Sequence, residues 1–243
     1  ESNTYTPEYQ ISNVRYVAHL IDLQRDFYDM LRMTQQQSGG VIQIAGQTFR
    51  HFSNPIAKAN GKGATLSLNV PVRARSIKSV FFVAQSQNTS GNRFDVSQGS
   101  SLRLAEYHLS IGATKYPPTA IKCNHLKNRS EPYFELMKSF GKLGSNIHDN
   151  LLTGSSYLAD SNFCADAGTG DGCGKVGDIA VFSPYGIDLE TFRAEIENGV
   201  DTSSRSLPMT LHLSTDTNTD DYDTDMTLHT FVLIDSLFFV NMD

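Results

Sequence analysis

Apolar and polar residues alternate strictly along three segments of the chain. The segments are residues 65–72, 107–111 and 209–214. Successive side chains of a β-strand point to opposite faces, so a period of two predicts strands with one face on a core and the other on water or a neighbour. These three segments are therefore predicted to be half-buried strands.

A change of phase precedes the second segment. Leu102 and Leu104 share a phase that Tyr107 and Leu109 do not. One extra residue in a strand moves every later side chain to the other face, so we expect a β-bulge near residues 105–106.

Three runs are apolar at nearly every position, residues 14–23, 77–84 and 231–240. Continuous apolar runs of this kind are typical of strands buried on both faces. With the alternating segments they account for six strands, and we expect about eight in the whole chain.

Three short helices are predicted between the strands. Apolar residues with helical spacing at Leu23, Phe27, Met30 and Leu31 precede Gly39–Gly40. The other two begin at capping residues, end at glycines and carry an apolar face. The first of them runs from Ser130 to Gly141 with Phe134, Met137 and Phe140 on its face, and the next runs from Asp188 to Gly199 with Leu189, Phe192 and Ile196 on its face.

These elements predict the fold class. About eight strands, short helices and long polar loops at residues 85–101, 144–175 and 216–224 describe an all-β protein, an eight-stranded antiparallel jelly-roll sandwich with short helices in the crossover loops. No shift in composition divides the chain, so we expect residues 1–243 to form a single jelly-roll domain.

Composition and charge exclude several classes of protein. Of 243 residues, 39% are apolar and only 19% charged, which is too apolar for a disordered chain. The net charge of −6 offers no basic field for sequence-specific nucleic-acid binding. No apolar run reaches the roughly 18–20 residues of a transmembrane helix. The chain opens at Glu1, without a leader peptide, and we expect that a preceding segment exists.

Three cysteines leave the redox state of one loop open. Cys164 and Cys173 flank a glycine-rich loop, and Cys123 stands apart. The pair forms a local disulfide or remains two free thiols, and the sparse count favours free thiols in a reducing compartment. A zinc site is disfavoured because no second pair of Cys or His accompanies them.

Five aspartates in ten residues are the strongest candidate for a cation site. Carboxylates spaced in this way suit calcium, but the segment lacks the glycine of an EF-hand, and Thr227 stands where its terminal Glu belongs. A solvated acidic loop is favoured. The aspartates are Asp216, Asp220, Asp221, Asp223 and Asp225.

Seven histidines fall one per segment, and none belongs to a local metal or protease motif. His108, His212 and His229 are expected on polar strand faces. The remaining four are His19, His51, His125 and His148. No nucleophile elbow, Walker loop or dinucleotide fingerprint occurs, so no catalytic, cofactor-binding or metal-ligating residue is predicted. Asn88 and Asn128 match the glycosylation pattern and are expected to be unmodified.

Several segments resemble a known family in their order and spacing. LRLAEYHLSIGATKYPPTAI (102–121), followed by EPYFELMKSFG (131–141), resembles the second jelly roll of double jelly-roll major capsid proteins of double-stranded DNA viruses, in the Polinton-like, virophage and related groups. Three further segments are similar to parts of that family, the first and the last to strands and the second to a join between a strand and a helix. They are RARSIKSVFFVAQ (73–85), FSPYGIDLETF (182–192) and LHTFVLIDSLFFVNMD (228–243).

The resemblance implies a structural role. It implies a capsid subunit without enzymatic activity or cofactors, which self-associates into trimeric, pseudo-hexagonal capsomers of an icosahedral shell. Its location would be the virion, assembled inside the host cell, with minor capsid or penton proteins as further partners. Family members usually carry two jelly rolls, whereas one is visible here. An N-terminal jelly roll was removed, is a separate chain, or does not exist in this relative.

Two other functions remain to be weighed. A lectin-like extracellular β-sandwich would use the Asp-rich segment for calcium, although the absence of Trp disfavours carbohydrate stacking. A jelly-roll enzyme of the cupin type would need a histidine-rich metal motif, which is absent.

Overall fold

The computed structural model describes residues 12–18, 24–37, 39–86, 99–123, 130–141, 157, 179–180, 184–190, 198–204, 207–217, 222 and 225–241. The chain divides into two compact units. Gln47–Ser236 form the sandwich unit, and Glu1–Gly46 with Leu237–Asp243 form the terminal unit.

Ten strands and two helices follow one another along the described chain, and eight of the strands are longer than two residues. In order they are α1 (Arg25–Gln37), β1 (Val41–Ile56), β2 (Thr65–Asn69), β3 (Ile77–Ser86), β4 (Gly99–Ser100), β5 (Leu104–Ile111), β6 (Thr114–Lys122), α2 (Ser130–Ser139), β7 (Ile179–Ala180), β8 (Tyr185–Asp188), β9 (Met209–Thr215) and β10 (Met226–Asn241). A short 3₁₀ turn, Lys58–Asn60, follows β1.

The strands form two sheets with jelly-roll order. Sheet A runs β1-β10-β3, with β8 and the short pair β4-β7 beyond β3, and sheet B runs β2-β9-β5-β6. The pairs β10–β3, β3–β8, β2–β9, β9–β5 and β5–β6 are antiparallel. Without β4 and β7, the orders β1-β10-β3-β8 and β2-β9-β5-β6 are those of two four-stranded sheets wound as a jelly roll. The predicted fold class is confirmed by this strand order.

The core lies between the inner faces of the two sheets. Along β9 every second residue is buried, beginning with Met209. Of the eight residues expected in the core, Leu68 is partly buried and the other seven are fully buried. Those seven are Val70, Leu109, Ile111, Leu211, Leu213, Val232 and Ile234.

The predicted bulge is present in β5. The pairing of β5 with β9 changes register between Leu104 and Glu106. Leu102 and Arg103, just before it, have positive φ values of 52° and 45°. The turn and the bulge together let both Leu104 and Tyr107 point into the core.

For two of the three segments that were predicted to be strands buried on both faces, the prediction is wrong in part. Residues 77–82 of β3 are buried throughout, as predicted. Residues 14–18, by contrast, form no strand and are exposed, while residues 19–23 lie outside the described residues. No described strand pairs with residues 14–18, so their apolar composition alone does not order them. In β10, Phe231 and Leu237–Phe239 are exposed, because only the alternate residues through Ile234 reach the core.

Helices α1 and α2 occur where they were predicted, but the predicted face of α2 is right only at Met137. Phe134 and Phe140 are exposed, whereas Pro132, Leu136 and Met137 are buried. The cause is Gly186 in β8, against which α2 packs: a Cβ there would lie 2.8 Å from Ser139 Oγ and 3.1 Å from Leu136 Cδ1. The third predicted helix lies mostly at residues 191–197, outside the described residues.

A charged cluster explains the single aspartate within the last strand. Asp235 Oδ2 accepts a hydrogen bond of 2.6 Å from Ser76 Oγ, and Asp235 Oδ1 lies 3.7 Å from Lys78 Nζ. Lys78 Nζ also donates to Glu190 Oε1 and Asn198 Oδ1. The cluster ties β3 and β10 to the segments on either side of residues 191–197.

Candidate assembly surface

The terminal unit has no buried residue among those described. Its helix, α1, is 13 residues long, and an isolated helix of that length is marginally stable in water. Apolar side chains nevertheless cover much of it: Phe27, Tyr28, Met30 and Met33 are exposed, and Leu31 is partly buried. A helix of this composition requires an apolar surface against which to pack.

The end of β10 carries a second apolar set in the same unit. Leu237, Phe238 and Phe239 are 45%, 50% and 63% exposed, and Ile44 of β1 is exposed as well. Consecutive strand residues point to opposite faces, so both faces of this end are apolar. Gly46 makes room for one ring, since a Cβ there would lie 3.0 Å from Phe238 Cε2. The apolar side chains at this end therefore form exposed surface rather than the doubly buried strand that the sequence predicted.

The outer face of sheet A, which points away from the core, is aromatic in the sandwich unit. The rings of Phe49 and Phe81 are 6.3 Å apart, and Phe140, which directly follows α2, stacks on Phe81 at 4.8 Å. Phe231 is the register partner of Phe81 and brings β10 into the same surface. We call these four residues, with His51 and His229, the outer aromatic face.

Two histidines of adjacent strands meet within this face. His51 Nε2 lies 3.0 Å from His229 Nδ1, and the two rings stack at 5.2 Å. His51 also stacks on Phe231 at 4.8 Å. Burial, and secondarily the neighbouring His51, lowers the pKa of His229 below its ordinary value. The lowered pKa favours the neutral state of His229, which suits an apolar surface.

The outer face of sheet B is polar instead. His108 and His212 stack at 4.7 Å across β5 and β9. His212 Nδ1 and Nε2 lie 3.1 and 2.9 Å from the hydroxyls of Ser67 and Ser110. Burial, then Lys115 and His212, lowers the pKa of His108. His108 and His212 lie on a polar strand face, as expected, whereas His229 lies on the aromatic outer face of sheet A. The pairing of these histidines with each other and with His51 was not predicted.

Three buried tyrosines donate hydrogen bonds within the sandwich unit. The hydroxyls of Tyr107, Tyr185 and Tyr222 donate to the backbone carbonyls of Gly186, Ser101 and Leu102. Burial is the main cause that raises the pKa values of Tyr107 and Tyr185. These phenols remain protonated donors that hold loops to strands.

The described part of the chain contains no group of three or more His, Cys, Asp or Glu residues able to hold a metal ion. Asp225 Oδ1 accepts the backbone N–H of Lys58 at 2.8 Å, and the backbone N–H of Asp216 donates to Arg103 O. Cys123 is buried. The other candidates lie outside the described residues. These are Asp220, Asp221, Asp223, Cys164, Cys173, His19, His125, His148, Asn88 and Asn128.

Comparisons with known proteins found no matching family model and no matching curated protein. Solved structures do match. The mavirus major capsid protein is 11% identical with a TM-score of 0.47, over 82% of this chain and 39% of that one. The Faustovirus major capsid protein is 9% identical with a TM-score of 0.46, over 90% and 36%. VP54 of PBCV-1, fitted into a reconstruction of the virophage Sputnik, is 8% identical with a TM-score of 0.45, over 86% and 52%.

This chain thus spans about half or less of the length of those proteins. Neither described helix is long and apolar enough to cross a membrane.

Proposed function

We propose that this chain is a structural subunit of a viral capsid that self-associates into trimeric, pseudo-hexagonal capsomers of an icosahedral shell. The observation that carries the proposal is the terminal unit, whose described residues include no buried one and many exposed apolar ones. A surface of this kind is stable in water only when another surface covers it. The jelly-roll strand order and the family motifs in the sequence support the same function.

The proposal extends to organisation and location. The chain would act as the second jelly roll of a capsid protein, beside an N-terminal jelly roll on the same or another chain, and residues 1–243 would function as one domain. Minor capsid or penton proteins would be further partners, and the virion, assembled inside the host cell, the location. The proposed role needs no cofactor, catalytic residue, metal or sequence-specific nucleic-acid contact.

Sedimentation of the full chain tests this function. We expect trimers or larger particles for the unmodified protein and monomers for Phe238→Ser/Phe239→Ser, which removes two exposed rings of the terminal unit. Phe134→Ser is the matched control, because Phe134 is an equally exposed Phe on α2 and lies outside the outer aromatic face. A folded monomer at high concentration for the unmodified chain, or equal assembly of all three proteins, would contradict the proposal.

The same samples separate this function from a calcium-dependent lectin. A ligand that binds only the folded state raises the melting temperature, by an amount that grows with its concentration. We expect no rise with calcium. No described contact favours the lectin, since one oxygen of Asp225 already accepts a backbone N–H.

A further inference from the structure

We propose that α1 of one copy packs on the outer aromatic face of a second copy, beside that copy's α2. This inference rests on the proposed self-association and names the two surfaces that meet. Two observations support it. Helix α2 leaves part of the width of sheet A uncovered, and α1 has an exposed apolar face.

Helix α2 demonstrates how this face of the sheet accepts a helix. Helix α2 packs on Gly186 of β8, and Phe140, which directly follows the helix, stacks on Phe81 of β3. The outer side of β10 and β1, the next two strands, carries the exposed Phe231 and Phe49. Strands lie about 4.8 Å apart, and packed helices lie about 8–10 Å apart. The two uncovered strands therefore have the width of one further helix.

The two surfaces are matched in chemistry. The exposed apolar side chains of α1 are aromatic or thioether groups, and its 13 residues span about 20 Å at 1.5 Å per residue. The outer aromatic face offers phenyl rings and the His51–His229 pair, in which the pKa of His229 is lowered. Thioether and aromatic groups pack well against ring faces and edges.

The exposed area is sufficient for a specific contact. An aromatic side chain carries about 150–250 Å², so the partly exposed residues of each surface leave on the order of 300 Å² to be covered. Slightly more than half of interface area is apolar, so the whole contact would approach roughly 1,100 Å², near the lower limit of specific interfaces. Leu237–Phe239 would add to it.

Each of the two surfaces is exposed, and in the proposed contact a second copy covers it. Because the surface that docks differs from the surface that receives it, the contact is head-to-tail. Head-to-tail contacts close into rings when the rotation permits. Three copies would close the ring of a trimeric capsomer, with three equivalent contacts.

Mixing two defective variants tests this inference. Phe27→Ser/Met30→Ser removes the docking surface, and Phe49→Ser/Phe231→Ser removes the receiving surface. All four side chains are exposed, so each variant should keep the circular dichroism spectrum of the unmodified protein. In sedimentation equilibrium, each variant alone should be monomeric, whereas the equimolar mixture should form a 1:1 dimer through the one intact contact.

The outcomes separate this inference from the proposed function. If the unmodified chain forms trimers but the mixture stays monomeric, or if either variant alone assembles normally, the docking of α1 on the outer aromatic face is wrong and self-association stands. If the unmodified chain is monomeric, both proposals fail. Hydrogen exchange gives a second measurement: the amides of residues 25–37 should be protected in the trimer and should exchange rapidly in the Phe49→Ser/Phe231→Ser monomer.

Discussion

Lys78 Nζ lies 2.6 Å from Glu190 Oε1, and the Lys78 side chain is only 5% exposed. Lys78 belongs to β3, in the middle of sheet A, while Glu190 follows β8. Asp235 of β10 completes the surroundings of the ammonium group at 3.7 Å. The buried ammonium group of Lys78 therefore links β3 to β10 and to the segment that follows β8.

Removing that cation should destabilise the fold strongly. Lys78→Met leaves the carboxylates of Glu190 and Asp235 without their counter-charge, and breaking a buried pair in this way costs about 3–5 kcal/mol. Urea denaturation measures the change in the free energy of unfolding. The control is Lys138→Met, whose side chain is 42% exposed and lies 3.5 Å from Glu135 and 3.9 Å from Asp188, and which should cost less because water screens an exposed ammonium group. Equal costs would show that the buried cluster contributes no more than a surface pair.

The core prediction can be tested at one leucine of β9. Leu211 is 0% exposed between the two sheets. Leu211→Ala should lower the free energy of unfolding by about 2–5 kcal/mol, because it leaves a cavity. Leu237→Ala removes the same atoms from an exposed side chain of β10 and should change the monomer's stability by less than about 0.5 kcal/mol. A loss below about 1 kcal/mol for Leu211→Ala would contradict its position in the core.

Mild acid should destabilise the chain through its paired histidines. The pKa values of His229 and His108 are lowered in the folded state, mainly by burial. The unfolded chain therefore takes up protons first, so stability falls as the pH drops below about 6.5 and levels off once the pH has passed the lowered pKa values. His229→Gln should make this fall smaller, with little change at pH 8, where both residues are neutral. An unchanged pH profile in urea denaturation would contradict the prediction.

Cysteine reactivity should differ between the three positions. Burial, then Glu131 and Glu106, raises the pKa of Cys123, and a buried protonated thiol reacts poorly. Iodoacetamide applied to the native protein without reductant should label Cys164 and Cys173 only, and denaturation should add Cys123. Mass spectrometry of the tryptic peptides measures each site. Labelling of Cys164 and Cys173 only after reduction would reveal a disulfide and an oxidising compartment.

The strands and their faces could be predicted because alternation encodes them directly. Leu109 and Leu211 lie in strict period-two segments, and both are buried. The bulge near Glu106 could be predicted for the same reason, because one extra residue in a strand reverses the alternation of apolar and polar positions after it.

Features that depend on two distant segments could not be predicted from one sequence. His51 and His229 are 178 residues apart, and only the pairing of β1 with β10 makes them neighbours. The face of α2 is set by the missing side chain of Gly186, not by the spacing of its own phenylalanines. The apolar composition of residues 14–18 and of Phe239 indicated burial, but in a single chain these residues lie exposed.

Strand β1 lies at the end of sheet A, and its open edge affects how copies of the chain can associate. Among the described residues, this 16-residue strand has a neighbour on one side only. An open edge of that length could recruit further strands without limit and produce a fibril. Arg50 is an exposed charge on this strand, and Pro55 offers no N–H for pairing. Arg50 and Pro55 thereby disfavour backbone pairing at this edge and oppose open-ended growth of the sheet.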